Sequence, residues 1–103
     1  LKLLIAVVQH EDAAKAMHEL VQSGFRVTEL PSAGGLLGHR NSTLLCGLED
    51  GEIDRAVEVL SQVCRRRSVE LQRGHPMFTL YNKVTVGGAV VFVVDMDRMV
   101  RIG

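Results

Sequence analysis

The hydrophobic period of this chain switches between two residues and three-to-four residues in a fixed order, and that order constrains the fold more than any single motif. KLLIAVVQ, Lys2 to Gln9, is short and rich in β-branched residues and stops at the polar His10, Glu11 and Asp12, which marks a strand. From about Glu11 to Ser23 the apolar positions Ala13, Met17, Leu20 and Val21 recur at helical spacing, and Gly24 suits the left-handed residue that ends a helix. FRVTEL, Phe25 to Leu30, alternates and is closed by Pro31, which predicts a second strand. STLLCGL, Ser42 to Leu48, predicts a third. Asp50 is placed to cap a second helix whose Ile53, Ala56, Val57, Leu60, Val63 and Cys64 form one apolar stripe. After a long segment from Arg65 to Lys83, VTVGGAVVFVVDM predicts a fourth strand and DRMVRI a final turn.

Strand, helix, strand, twice over, predicts an α+β fold: a ferredoxin-like βαββαβ sandwich. Right-handed crossovers place both helices on the same sheet face. The uncovered face should be polar in a monomer, yet strand one is apolar on both sides, with Leu3, Ile5 and Val7 opposite Leu4, Ala6 and Val8. Strand three repeats this with Leu44, Cys46 and Leu48 against Thr43, Leu45 and Gly47, and strand four is apolar on both faces too. So large an exposed apolar sheet exceeds what a soluble monomer carries, which predicts a homo-oligomer.

Composition narrows the function. With 103 residues, 47% of them apolar and 23% charged, residues 1–103 make one globular domain. Twelve basic residues balance twelve acidic ones, so the chain offers no broad attraction to nucleic acid or an anionic membrane, and an anion must be held locally. The longest apolar stretch, Val84 to Val94, is shorter than the ~20 residues of a spanning helix. LLIAVV lacks the cleavage site of a signal peptide, so a cytoplasmic protein is expected. Cys46 and Cys64 have neither metal-ligand nor disulfide-framework spacing and are expected as buried free thiols. His10, His18, His39 and His75 show no ligand pairing, so no metal site is expected.

The chemistry is left to loops. GGLLGHRNSTLLCG, Gly34 to Gly47, lacks the GxGxxG fingerprint and is followed by no GK[ST]. Its glycines permit backbone N–H groups to approach an anion or nucleobase, and they equally suit a flexible strand connection. Five collinear blocks bear on the choice: AVVQ at Ala6 to Gln9, GFRVT at Gly24 to Thr28, GG at Gly34 and Gly35, NST at Asn41 to Thr43, and VGGAVVFVVD at Val86 to Asp95. In these the chain resembles the cyclic-di-AMP-receptor branch of the PII-like signalling proteins. The resemblance implies a trimer of ferredoxin-like subunits that binds cyclic di-AMP in clefts between neighbours.

Carried over residue by residue, the resemblance implies ligand contacts at Arg26, Thr28, Leu37, Asn41, Gly47 and Phe92, with Gly35 and Leu36 in the same glycine loop. Asn41 offers the two-pronged amide that matches an adenine edge, or it is a turn residue before strand three. Arg26 supplies a cation for a phosphate, or is a solvated strand-end arginine. Phe92 has a face for stacking or for the core, and Thr28 has a hydroxyl to donate or only its β-propensity. The family's loop usually reads TGGFLRxGNTT. Here Ala33, Leu36, Gly38 and Arg40 replace its threonine, phenylalanine, arginine and glycine, and Leu36 forfeits a stacking contact of roughly 1–3 kcal/mol.

The segment from Arg65 to Lys83 is longer than an ordinary connection and reads as a functional loop, its Arg65, Arg66 and Arg67 complementing the dipole of the preceding helix. An enzyme would need an acid, base or nucleophile set beside the glycine loop. Only His39 stands there, with no carboxylate between Pro31 and Leu48 to orient it, so catalysis is not expected. A nucleotide-sensing signalling adaptor with a downstream protein partner is the expectation. The alternative is a metal-responsive or ligand-free trimeric regulatory protein of the same fold.

Overall fold

The computed structural model of the chain describes residues 1–31, 40–70 and 83–103. Its elements in order are β1 (Lys2–Gln9), α1 (His10–Gln22), β2 (Thr28–Pro31), β3 (Asn41–Leu48), α2 (Ile53–Val63), β4 (Arg67–Glu70), β5 (Lys83–Val86) and β6 (Ala89–Asp95). A four-stranded antiparallel sheet has the order β2-β3-β1-β6, and β4 and β5 form a separate two-stranded antiparallel ribbon. This small α+β fold, an antiparallel sheet with two helices, is compatible with the ferredoxin-like arrangement expected from the sequence.

The alternation in β1 and β3 sets the core. Leu4, Ala6 and Val8 from β1 and Leu44, Cys46 and Leu48 from β3 are buried beneath Ala13, Ala16 and Leu20 of α1 and Ala56 and Leu60 of α2. Their pairing is continuous, from Lys2 opposite Leu48 to Gln9 opposite Asn41, so one register fixes both faces. The other face carries rows that cross all four strands: Leu30, Thr43, Val7 and Val90 in one, and Thr28, Leu45, Ile5 and Phe92 in the next. Leu30, Val90 and Phe92 are each more than half exposed, at 52%, 55% and 53%. The uncovered apolar face that the sequence anticipates is therefore present in the single chain.

Several boundaries differ from the sequence expectation for identifiable reasons. Gly24, at φ 93°, donates to the Val21 carbonyl, and Phe25 donates to the Leu20 carbonyl, the paired bonds of a Schellman helix end. Phe25 thus spends its N–H on the helix, packs in the core under Arg55, whose guanidinium lies 4.3 Å from the ring centroid, and β2 begins only at Thr28. Asp50 is not the cap of the second helix. Glu52 takes that position, and Glu49 caps the preceding 3-10 turn over Asp50–Glu52, where the Glu52 carboxylate accepts the Glu49 N–H at 3.0 Å. The predicted fourth strand is two strands, interrupted at Gly87 and Gly88, both with positive φ. Only β6 joins the main sheet; β5 pairs with β4, inside a segment expected to be loop. The residues after Asp95 form no regular turn of helix.

Candidate functional site

Two clefts sit at opposite ends of the open sheet face. The larger, about 480 Å³, lies where the Schellman turn delivers the chain into β2 and where Gly47 ends β3 near its partner Leu3. Arg26, Thr28, Leu45, Gly47, Met99 and Arg101 line it. Arg26 is placed there because the tight turn at Gly24 and burial of Phe25 fix its neighbour's direction, leaving the arginine exposed. Thr28 opens β2 opposite Leu45, one strand from Gly47. Three of the residues singled out from the sequence, Arg26, Thr28 and Gly47, therefore share one cavity.

Gly47 serves this cavity by having no side chain. The Met99 sulfur stands 2.8 Å from where its Cβ would be, closer than real Cβ contacts run, so any larger residue would displace the methionine that walls the cleft. Arg101, from the same terminal segment, adds a second guanidinium to the lining. A cavity lined by two arginines, the Thr28 hydroxyl, the Glu52 carboxylate and the apolar Leu45 and Met99 can hold a flat heterocycle together with an anionic group at its arginines.

Asn41 lies elsewhere. It starts β3 opposite Gln9 and lines a smaller cleft of about 220 Å³ with Gln9, Arg66, Gly87, Gly88 and Val90. Six positions of extended strand separate Asn41 from Gly47, ~20 Å at the usual rise, so a single adenine cannot touch both within one subunit. Phe92 lines neither cleft and stands midway along the edge strand β6, beside Ile5. Gly35, Leu36 and Leu37 lie outside the described residues.

Sequence reasoning missed Met99 and Arg101, because DRMVRI has no period and meets Gly47 only through tertiary structure. It also missed Arg66 and the pair Gly87–Gly88. The arginine had a sufficient explanation at the end of a helix. The two adjacent glycines inside an apolar strand were the available signal for a break.

Burial pushes the thiols of Cys46 and Cys64 up to about 11, so both are protonated at neutral pH and poor nucleophiles. Among the described residues no group of three or more His, Cys, Asp or Glu side chains converges to hold a metal ion, and no helix is long and apolar enough to cross a membrane.

The comparison with known families decides the class. The profile of the cyclic-di-AMP receptor family matches residues 1–102, essentially the whole chain. The chain belongs to the cyclic-di-AMP receptor family. Membership supports a nucleotide-binding signalling role for it; the family is one of receptors, with cyclic di-AMP as their ligand. Among solved structures, the crystal structure of a functionally unknown protein from Pediococcus pentosaceus ATCC 25745 is similar, with a TM-score of 0.80 at 30% identity, covering 98% of this chain and 96% of that one.

Proposed function

We propose that this receptor-family chain is a cytoplasmic signalling adaptor that assembles as a homotrimer, holds cyclic di-AMP in clefts between subunits, and relays occupancy to a downstream protein through loop conformation. The convergence of Arg26, Thr28 and Gly47 on one cleft at the edge of an uncovered apolar sheet face is the observation that carries this reading. A neighbouring subunit seated on that face would close the cleft and cover Ile5, Phe92 and Val90 together.

Within such a cleft the roles follow from chemistry. Cyclic di-AMP brings two adenines and two singly charged phosphates. Arg26 and Arg101 would face the phosphates, Thr28 would donate a hydrogen bond, and the Gly47 backbone would allow close approach. Asn41 would read an adenine edge with its amide, and Leu36 and Leu37, next to Gly35 in the glycine loop, would supply apolar contact to the rings. Phe92 would serve the subunit interface or stack on the ligand.

A thermal-shift panel of cyclic di-AMP, ATP, AMP, zinc and copper tests it, because a ligand that binds only the native state raises its apparent stability. Selective stabilisation by cyclic di-AMP is expected. Stabilisation by zinc or copper and by no nucleotide would replace this reading with a metal-responsive regulator of the same fold.

A further inference from the structure

Asp12, in the first turn of α1, is a carboxylate only 3% exposed, and its partner comes from the far side of the sequence. Arg67, the first residue of β4, places Nη2 2.6 Å from Asp12 Oδ1, and its Nη1 donates to the Arg65 carbonyl at 3.0 Å. The other strand of the ribbon is tied at the same place. Immediately after β5, the Gly87 N–H donates to Gln9 Oε1 at 2.8 Å, and the Gly88 N–H donates to the Cys64 carbonyl at the end of α2. Gly87 holds φ 94° against the Arg65 carbonyl, where a Cβ would collide. Both strands of the β4–β5 ribbon are thus fastened at its base, where Arg67 pairs with Val86, to one short stretch, Gln9 to Asp12, and to the end of α2.

We propose that this fastening is a clamp through which nucleotide bound beside Asn41 controls the β4–β5 ribbon. Gln9 is the link: it pairs with Asn41 in the β1–β3 ladder, lines the Asn41 cleft and accepts the Gly87 N–H. Arg66, Gly87 and Gly88 line that same cleft, so a ligand there touches the Gly87–Gly88 attachment directly and the residue that precedes the Arg67 attachment. Asp12 then holds Arg67 one residue beyond Arg66, and a shift at Arg66 reaches β4 without slack. Losing the arginine would leave the buried Asp12 carboxylate without its charged partner, so the Asp12–Arg67 pair resists opening. Asp12 and Arg67 act as positioning residues, and neither lines the cleft. The clamp rests on the reading of Asn41 as a nucleotide contact.

The experiment compares wild type with Asp12→Asn and Arg67→Lys, using calorimetry with cyclic di-AMP and amide hydrogen exchange with and without it. In wild type, ligand should slow exchange in 67–70 and 83–86. In either clamp variant that slowing should be lost while β1 and β3 keep their protection, and reciprocity of coupling requires affinity to fall about fivefold or more. A merely structural ion pair would lower the melting temperature and leave the ligand-induced slowing intact, and that result overturns the clamp while the ligand reading stands. Absence of cyclic di-AMP binding to wild type overturns both. Arg67 is 35% exposed, so Arg67→Lys keeps the test open should Asp12→Asn fail to fold.

Discussion

Met99 lies across β3 at Gly47, its Sδ 2.8 Å from the place a Cβ on that glycine would occupy. Gly47 has no positive φ to explain its identity, so the requirement is one of space. The same approach makes the terminal segment a wall of the cleft that holds Arg26 and Thr28, so the shape of the cleft depends on one missing side chain.

Gly47→Ala should push the flexible, half-exposed Met99 side chain off the sheet at a cost of about 0.5 kcal/mol, because the side chain can swing into solvent. Thermal or urea unfolding measures it. The double variant Gly47→Ala with Met99→Ala should recover most of that stability, since the alanine methyl then has room. Recovery of stability without recovery of cyclic di-AMP affinity would show that Met99 serves the ligand as well as the fold. No loss in Gly47→Ala would mean that Met99 leaves the strand at no cost.

Assembly is tested through the row Thr28, Leu45, Ile5 and Phe92. Light scattering on the wild-type protein at micromolar concentration should give three times the chain mass. Ile5→Lys puts a charge in the middle of the apolar face and should shift the mass toward the single chain, with helical circular dichroism retained. A well-folded monomeric wild type would remove the intersubunit cleft.

How far the sequence reached depends on whether a residue's neighbours are local. Strand β1 was legible from Lys2 to Gln9 as a short, β-branched apolar run ended by polar residues, but with both faces apolar the buried set Leu4, Ala6 and Val8 is decided only by where the helices pack. The stripe of α2 was legible because its apolar residues recur at helical spacing. RSVE was not legible as a strand: it is short and mostly polar, and only its pairing with Lys83–Val86 makes it one. The start of β2 was hidden because Phe25 looks like a strand residue, while its N–H belongs to the preceding helix. In the site, Arg26, Thr28 and Gly47 came from resemblance, and their shared cleft comes from geometry. Met99 and Arg101 carry no local signal, and the separation of Asn41 from them is a matter of strand length that a set of residue names does not contain.

The two thiols give a pH prediction. Burial raises Cys46 and Cys64 from 9.0 to about 11, so the folded state keeps protons that the unfolded state releases earlier. Their contribution to stability is fully present below pH 9 and is lost as pH rises through about 11, because above 9 the unfolded state binds fewer protons. Denaturant midpoints measured from pH 8 to 11 should fall, and should fall less in Cys46→Ala with Cys64→Ala. At pH 8 a thiol reagent should label neither cysteine in native protein and both in urea. Rapid native labelling would place at least one thiol at the surface.

Asn41 and the Arg26 cleft stand at opposite ends of one sheet, so a nucleotide using both should draw them from neighbouring subunits. Asn41→Ala and Arg26→Ala, each alone, should weaken cyclic di-AMP binding by about 5- to 150-fold, the worth of one paired base or phosphate contact. Co-expressing the two variants under different affinity tags and isolating doubly tagged trimers then separates the geometries. A cleft that takes Asn41 from an Arg26→Ala subunit and Arg26 from an Asn41→Ala subunit contains no mutated contact. By threefold symmetry every mixed trimer holds about one such cleft. Calorimetry should therefore find a class of sites with wild-type affinity at about one per trimer, although no subunit in the sample is wild type. If mixed trimers bind as weakly as their parents, both residues meet the ligand from the same subunit, and the nucleotide does not bridge the interface in the way proposed.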